Sequence, residues 1–195
     1  IIMVQIGTLD IQYGVDARKV DLLLLKPLLE DTNITFIGHN MKFEYKHFKN
    51  IGIIIERIHD TMVAEKVLYT GKPLDWSLKG LIARYFGVAV DKTVRLEFAL
   101  IGDKPFTQTQ IEYGVDDIIY PLEIYTRQIM DAKTKQVQRC LDLEHKFLPV
   151  LGDIEYNGMA FNVDQWLKTY DANVGLLEPA ERSLTDYVLD NFRHT

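Results

Sequence analysis

Cysteine, long apolar runs and positive charge are all scarce in this 195-residue chain. Cysteine occurs once, at Cys140, so an internal disulfide is excluded, which fits a reducing compartment. No activating partner stands out beside it, so a thiol nucleophile is not indicated. No stretch approaches the roughly 18 consecutive apolar residues of a membrane-spanning helix. The longest runs, such as Leu22 to Leu25, are short and flanked by charge. No partner role in a membrane is therefore expected. The formal net charge of −6 counts against a protein that coats nucleic acid, which is usually basic. It leaves room for an enzyme that grips a few nucleotides and holds metal ions with carboxylates. The opening residues "IIMVQIGTLDIQ" carry neither a basic leader nor a small-residue cleavage site, so they do not read as a signal peptide. They read instead as an apolar strand, and a start inside such a run suggests a piece of a longer protein.

What remains is ordinary for a soluble globular chain: 47% hydrophobic and 26% charged residues. The length suits one domain, or one domain plus part of another. Residues 1–7 and 11–15 read as two strands joined by a turn at Gly7-Thr8-Leu9-Asp10. Val20, Leu23, Leu24, Leu28 and Leu29 are largely helix-spaced, with Pro27 as an interruption. "NITFIG" reads as a short buried strand. Asn40 then stands as a helix N-cap before "MKFEYKHFKN", with Gly52 as a stop. Another strand, "IIIERIHD", ends near Asp60, and "TMVAEKVLYTG" follows as helix. Ser77 is a candidate cap for "SLKGLIARYFG". Residues 88–106 lack a period and read as a loop. A long helical pattern follows, which Pro121 either kinks or divides; further helices fill the remainder, one of them ending at Gly158. Strands and helices thus alternate over residues 1–132, an α/β domain, and only helix occupies 133–195.

Two constellations carry possible chemistry. In "YGVDD", Tyr113 and Asp117 are four apart and share a helix face, whereas Asp116 points elsewhere. A carboxylate can hold a divalent metal while a phenol one turn away orients an attacking water. The same pattern fits an amphipathic helix with a half-buried tyrosine and a solvated aspartate. In "HNMKFE", Glu44 lies one place beyond the capping-box position, which Phe43 occupies. Alone it reads as an acid near a helix N-terminus, favoured by the macrodipole.

The order of these pieces is more specific than either one. An apolar strand leads into Asn40-x-x-Phe43-Glu44; then come "HDTMVAEKVL", "SLKGLIARYFG", a loop and "QIEYGVDD". This series resembles the 3′→5′ proofreading exonuclease domain of family A DNA polymerases, in the tyrosine branch of the DEDD exonucleases. The family's second motif is Asn-x-x-Phe/Tyr-Asp and its third is Tyr-x-x-x-Asp. "LEHKFLPVLGDIEYNGMAFNVDQW", with Glu155-x-x-Gly158, resembles the segment that leads into the polymerase thumb.

The resemblance implies an RNase H-like mixed sheet flanked by helices, followed by a helical start of the polymerase region. It implies two divalent ions, Mg²⁺ or Mn²⁺, with Asp117 and Glu44 as ligands and Tyr113 positioning the nucleophile. Asn40 and Phe43 would hold the terminal nucleotide of a single-stranded DNA 3′ end. The implied partner is a covalently linked polymerase domain, and the implied setting is the cytoplasm of a bacterial or phage-infected cell.

Two features depart from the family. Its first motif, Asp-x-Glu on the first strand, is absent before Asp16. Asp142-x-Glu144 and Asp153-x-Glu155 lie in a helical pattern after the third motif, where residues two apart do not face each other, and neither is taken as the missing pair. The expectation is an N-terminal truncation that removes the first strand and leaves this piece inactive. Glu44 also stands where the family has Asp, longer by one methylene. Two competing readings stay open: a non-catalytic exonuclease-like scaffold of a family A polymerase, and a stand-alone RNA-processing 3′→5′ exonuclease. Residues upstream of Ile1 would discriminate the first, and a polymerase domain downstream of Thr195 would exclude the second.

Overall fold

A computed structural model describes residues 2–89, 97–98 and 101–192. The chain divides into two compact units, Ile1–Tyr156 and Asn157–Thr195.

The first unit opens with an antiparallel hairpin of β1 (Met3–Gly7) and β2 (Gln12–Asp16), in register from Met3↔Asp16 to Gly7↔Gln12. Thr8 builds the turn. Its N–H donates to the Ile11 carbonyl at 2.8 Å and its hydroxyl accepts from the Asp10 and Ile11 N–H groups. Gly7 is required there, because a Cβ would lie 2.4 Å from the Ile11 carbonyl oxygen.

The leucine-rich stretch that follows is a 3₁₀ turn, Leu22–Leu25, and then a single helical turn, α1 (Lys26–Leu29). Asp21 caps the first by accepting the Leu23 N–H at 2.9 Å. Pro27 sits at the start of the second, where a missing N–H costs nothing. β3 (Phe36–Gly38) runs parallel to β4 (Ile58–Asp60), with Gly38 opposite Asp60. β4 is shorter than the strand read from the sequence. Ile53 and Ile55 are nonetheless fully buried, in an unpaired segment that supplies core side chains without sheet hydrogen bonds. Antiparallel and parallel pairings are thus both present, the mixed α/β character expected.

Helices α2 (Lys42–Asn50), α3 (Thr61–Leu68), α4 (Leu78–Phe86), α5 (Gln108–Thr134) and α6 (Gln138–Asn157) complete the unit. Ser77 caps α4 as expected, accepting the Gly80 N–H at 3.1 Å. The loop expected over 88–106 lies largely outside the described residues. Thr107 and Gln110 form a capping box at the start of α5. That helix continues through the buried Pro121 as one 27-residue element rather than dividing. α5 packs on the hairpin at Gly114, where a Cβ would meet Gln5 Cγ at 3.1 Å and Met3 Sδ at 3.3 Å.

The core gathers Val4, Leu29, Tyr45, Phe48, Ile58 and Leu148 around Ile53 and Ile55. Each fully buried aliphatic side chain contributes about 1.5–3 kcal/mol of transfer free energy. A second, polar knot ties α3, α4 and α5 together. The buried Glu65 carboxylate accepts from Arg84 Nη2 (2.9 Å), Tyr85 Oη (2.8 Å) and Gln128 Nε2 (2.7 Å). α6 is drawn onto α2 at Gly152, where a Cβ would come within 2.6 Å of Tyr45 Cδ1.

The second unit is built on one 30-residue helix, α7 (Val163–Phe192). Asn162 starts it by accepting the Gln165 N–H at 3.0 Å, and the Phe161 and Trp166 rings meet edge to face. No helix among the described residues is long and apolar enough to cross a membrane.

Candidate active site

The site is organised by a residue that the motif reading passed over. Asp60, at the end of β4, is almost fully buried. One carboxylate oxygen accepts the Asn40 N–H at 3.0 Å and the other accepts the Met41 N–H at 2.8 Å. The first oxygen also takes the Met62 N–H at 2.9 Å and the Val63 N–H at 3.4 Å. One carboxylate therefore satisfies backbone donors at the N-termini of both α2 and α3, where macrodipoles favour negative charge. Asn40, expected as the N-cap of α2, is not: the cap is Met41 and no side chain bonds there. Asn40 instead takes a left-handed conformation, φ 62°, which asparagine tolerates better than most residues, and its carbonyl accepts the Phe43 N–H. The sequence signal for Asp60 was local, an Asp directly before a helical run. Its second partner lies some twenty residues earlier, where only the parallel β3–β4 register could bring it.

That anchoring fixes the start of α2 and with it Glu44. Glu44 turns inward, and its Oε2 is buried without a hydrogen-bond partner. Burial pushes its carboxyl up to about 7, and the negative charges of Asp60 and Asp117 push in the same direction. Asp117 sits on α5, one turn after Tyr113. The fold thus brings Glu44 and Asp117, 73 positions apart, to one anionic locus. Tyr113 is half-buried with its ring centroid 6.2 Å from that of Phe98. Phe43 is exposed on α2 beside Glu44.

Histidines line the floor next to this locus. Thr61 gives its hydroxyl proton to the Gly38 carbonyl, so the 3.0 Å contact with His39 places the imidazole proton on His39 Nδ1. His145 Nε2 lies 3.0 Å from the Asp60 backbone nitrogen and 3.2 Å from its carbonyl oxygen. The His59 ring lies between His145 (4.2 Å, planes tilted by 44°) and Tyr125 (4.6 Å, edge to face at 78°). Burial lowers the pKa of all three, so they are neutral structural groups.

Of the two late acidic pairs, the second is engaged by side chains of α2. Asp153 binds Tyr45 Oη at 2.7 Å and pairs with Lys49, and Glu155 pairs with Lys42 and Lys46. They hold α6 to α2.

An orphaned buried oxygen on Glu44, within the electrostatic reach of Asp117, suits a divalent cation as a counter-charge. Hard carboxylate donors favour Mg²⁺ or Mn²⁺. Glu44 and Asp117 fit as two ligands of such an ion. Among the described residues no three His, Cys, Asp or Glu side chains converge as a complete metal cluster.

Comparison with known proteins accords with this geometry. Residues 1–130 match the family model of the 3′-5′ exonuclease. DNA polymerase I of Aquifex aeolicus is 27% identical over 126 residues, 64% of this chain and 21% of that protein. Ribonuclease D of Escherichia coli is 27% identical over 110 residues, 56% of this chain and 28% of that protein. The chain therefore spans about a fifth to a quarter of the length of these relatives. The fold is shared with Brucella melitensis NrnC bound to pGG (TM-score 0.68, 22% identity, 82% of this chain and 78% of that one). It is also shared with the Mg²⁺-bound form of that protein (TM-score 0.62, 20% identity, 75% and 70%). The match over two thirds of its length, through both the Glu44 and the Asp117 segments, establishes that the chain belongs to the 3′-5′ exonuclease family.

Proposed function

We propose that the chain is the 3′→5′ proofreading exonuclease domain of a DNA polymerase, acting on single-stranded or frayed DNA 3′ ends. The observation that carries this reading is the buried, unpartnered Glu44 oxygen held under the charge of Asp117. Glu44 and Asp117 would hold divalent ions, Mg²⁺ or Mn²⁺, two of them at the site. When bound, those ions neutralise charge at the scissile phosphate and activate water as a nucleophile. Tyr113, one turn from Asp117, orients the attacking water by hydrogen bonding. Asn40 and Phe43 hold the terminal nucleotide at the start of α2. The site takes a single strand, and a mispaired end frays more readily, which couples hydrolysis to error. The similarity to DNA polymerase I and the polymerase-like Glu155–Gly158 segment support the polymerase setting, inside a bacterial or phage-infected cell.

A second reading, a stand-alone RNA-processing exonuclease, is favoured by the equal identity to ribonuclease D. The test joins a strand bearing Asp-x-Glu ahead of Ile1 and compares 5′-labelled DNA and RNA oligonucleotides with Mg²⁺. Preferential shortening of DNA from the 3′ end supports the first reading. Preferential shortening of RNA supports the second. No cleavage of either, with the fold intact, favours a non-catalytic scaffold.

A further inference from the structure

Arg18, just past the end of β2, spends its guanidinium within the fold. Nε and Nη2 donate to the two carboxylate oxygens of Asp16 at 2.8 and 2.7 Å, a bidentate pair. Nη1 donates to the Gly102 carbonyl and Nη2 to the Lys104 carbonyl at 3.0 Å, 84 and 86 positions further along the chain. The segment that precedes α5 is thereby tied to the hairpin. The guanidinium also lies over the Phe106 ring, with Cζ 4.7 Å from its centroid, within the range of a cation–π contact. Phe106 meets Phe98 at 5.9 Å between ring centroids, and Phe98 meets Tyr113 at 6.2 Å. Both spacings fall within the roughly 4.5–7 Å of paired aromatic rings, and all three rings are half-buried. Contacts thus run in one line from Asp16 through Arg18, Phe106 and Phe98 to Tyr113.

A phenol that orients an attacking water needs a fixed ring, because a misplacement of about 1 Å can cost 10²-fold in rate. α5 fixes the backbone of Tyr113 but leaves its side-chain torsions to be selected by what packs against the ring. Phe98 is such a neighbour, and it belongs to the segment that Arg18 ties down. We propose that Arg18 is a positioning residue for the hydrolysis: through Phe106 and Phe98 it holds the Tyr113 ring where the phenol directs the attacking water. This inference rests on the exonuclease reading, in which Tyr113 has that task. Lysine cannot take the place of Arg18. A point charge on a flexible stem lacks both the fork that matches Asp16 and the planar face that covers Phe106.

Two measurements test it. For the first, 3-fluorotyrosine is placed at Tyr113 of the 195-residue chain and read by ¹⁹F NMR. The control carries the label at Tyr125, about three turns further along α5 against His59. Arg18→Ala, Arg18→Lys and Phe98→Leu should each move the Tyr113 resonance toward that of the free amino acid and leave the Tyr125 resonance in place. A stationary Tyr113 resonance, or equal movement at both labels, overturns the positioning role. The second is a kinetic double-mutant cycle in the chain with an Asp-x-Glu strand joined ahead of Ile1, on a 5′-labelled single strand with Mg²⁺. Arg18→Ala should lower kcat by roughly 10- to 100-fold at unchanged KM. In a Tyr113→Phe background it should add nothing, because its effect passes through the phenol. Losses that multiply in the double variant assign Arg18 a purely structural role and overturn the inference, while the exonuclease reading stands. If the parent chain cleaves nothing, the exonuclease reading falls and this inference falls with it.

Discussion

Asp60 accepts the backbone N–H of Met41 at 2.8 Å, across the end of the parallel β3–β4 pair. The same carboxylate caps α3 through the Met62 N–H. One buried acid thus sets the start of two helices, and Glu44 follows from the placement of the first.

Asp60→Ala should therefore be strongly destabilising. A lost N-cap costs about 1 kcal/mol, and backbone donors left without a charged acceptor cost more, so a total of about 3 kcal/mol is expected. Asp60→Asn, which keeps one acceptor oxygen, should cost less. Urea denaturation measures both. A loss below about 0.5 kcal/mol for Asp60→Ala would mean that the shared cap is not structural.

The contact between α6 and α2 depends on a missing side chain. Gly152→Ala would place a methyl 2.6 Å from Tyr45 Cδ1 and 3.0 Å from Cε1, against a ring held in the core. Overpacking of this kind typically costs about 1–3 kcal/mol. Chemical denaturation of Gly152→Ala should show a loss in that range, and unchanged stability would show that α6 shifts freely.

Acid should destabilise the fold through its histidines. His59 is held down to about 3 by burial, with the neighbouring His145 acting in the same direction and Gln128 opposing. His145 is itself lowered by burial, and Tyr125 meets the His59 ring edge to face at 4.6 Å. Between pH 6.5 and 3 the unfolded chain takes up a proton at His59 that the folded chain refuses. Stability is thus full above pH 6.5 and falls as pH drops, by up to about 1.4 kcal/mol per pH unit for each such histidine. Urea midpoints of wild type and His59→Leu at pH 4.5 and 6.5 check this. The variant should lose less stability on acidification, whereas parallel losses would remove His59 from the account.

Metal binding should separate the two classes of acid. Mn²⁺ affinity, followed by electron paramagnetic resonance, should fall at least tenfold in Asp117→Asn. It should be unaffected in Asp153→Asn/Glu155→Gln, whose carboxylates are occupied by lysines on α2. The reverse result would relocate the metal site to α6.

Much of this was legible in the sequence because it was local or periodic. The strand–helix order, the Ser77 cap, the shared face of Tyr113 and Asp117, and the motif spacing that singles out Glu44 are of that kind. Other features depend on register between distant segments. Asn40 carried a local cap signal, but it takes a left-handed conformation there and Asp60 serves the donors. The Gly152–Tyr45 approach and the Glu65 knot join helices far apart in sequence and leave no periodic trace.

The central proposal is that Glu44 and Asp117 form one metal-dependent phosphodiesterase locus. The most direct test joins an Asp-x-Glu strand ahead of Ile1 and measures 3′→5′ shortening of a 5′-labelled single strand with Mg²⁺, for this protein and its Asp117→Ala variant. A stepwise ladder that the variant abolishes, at least 10²-fold slower, is the expected result. Shortening at an unchanged rate in Asp117→Ala would contradict it.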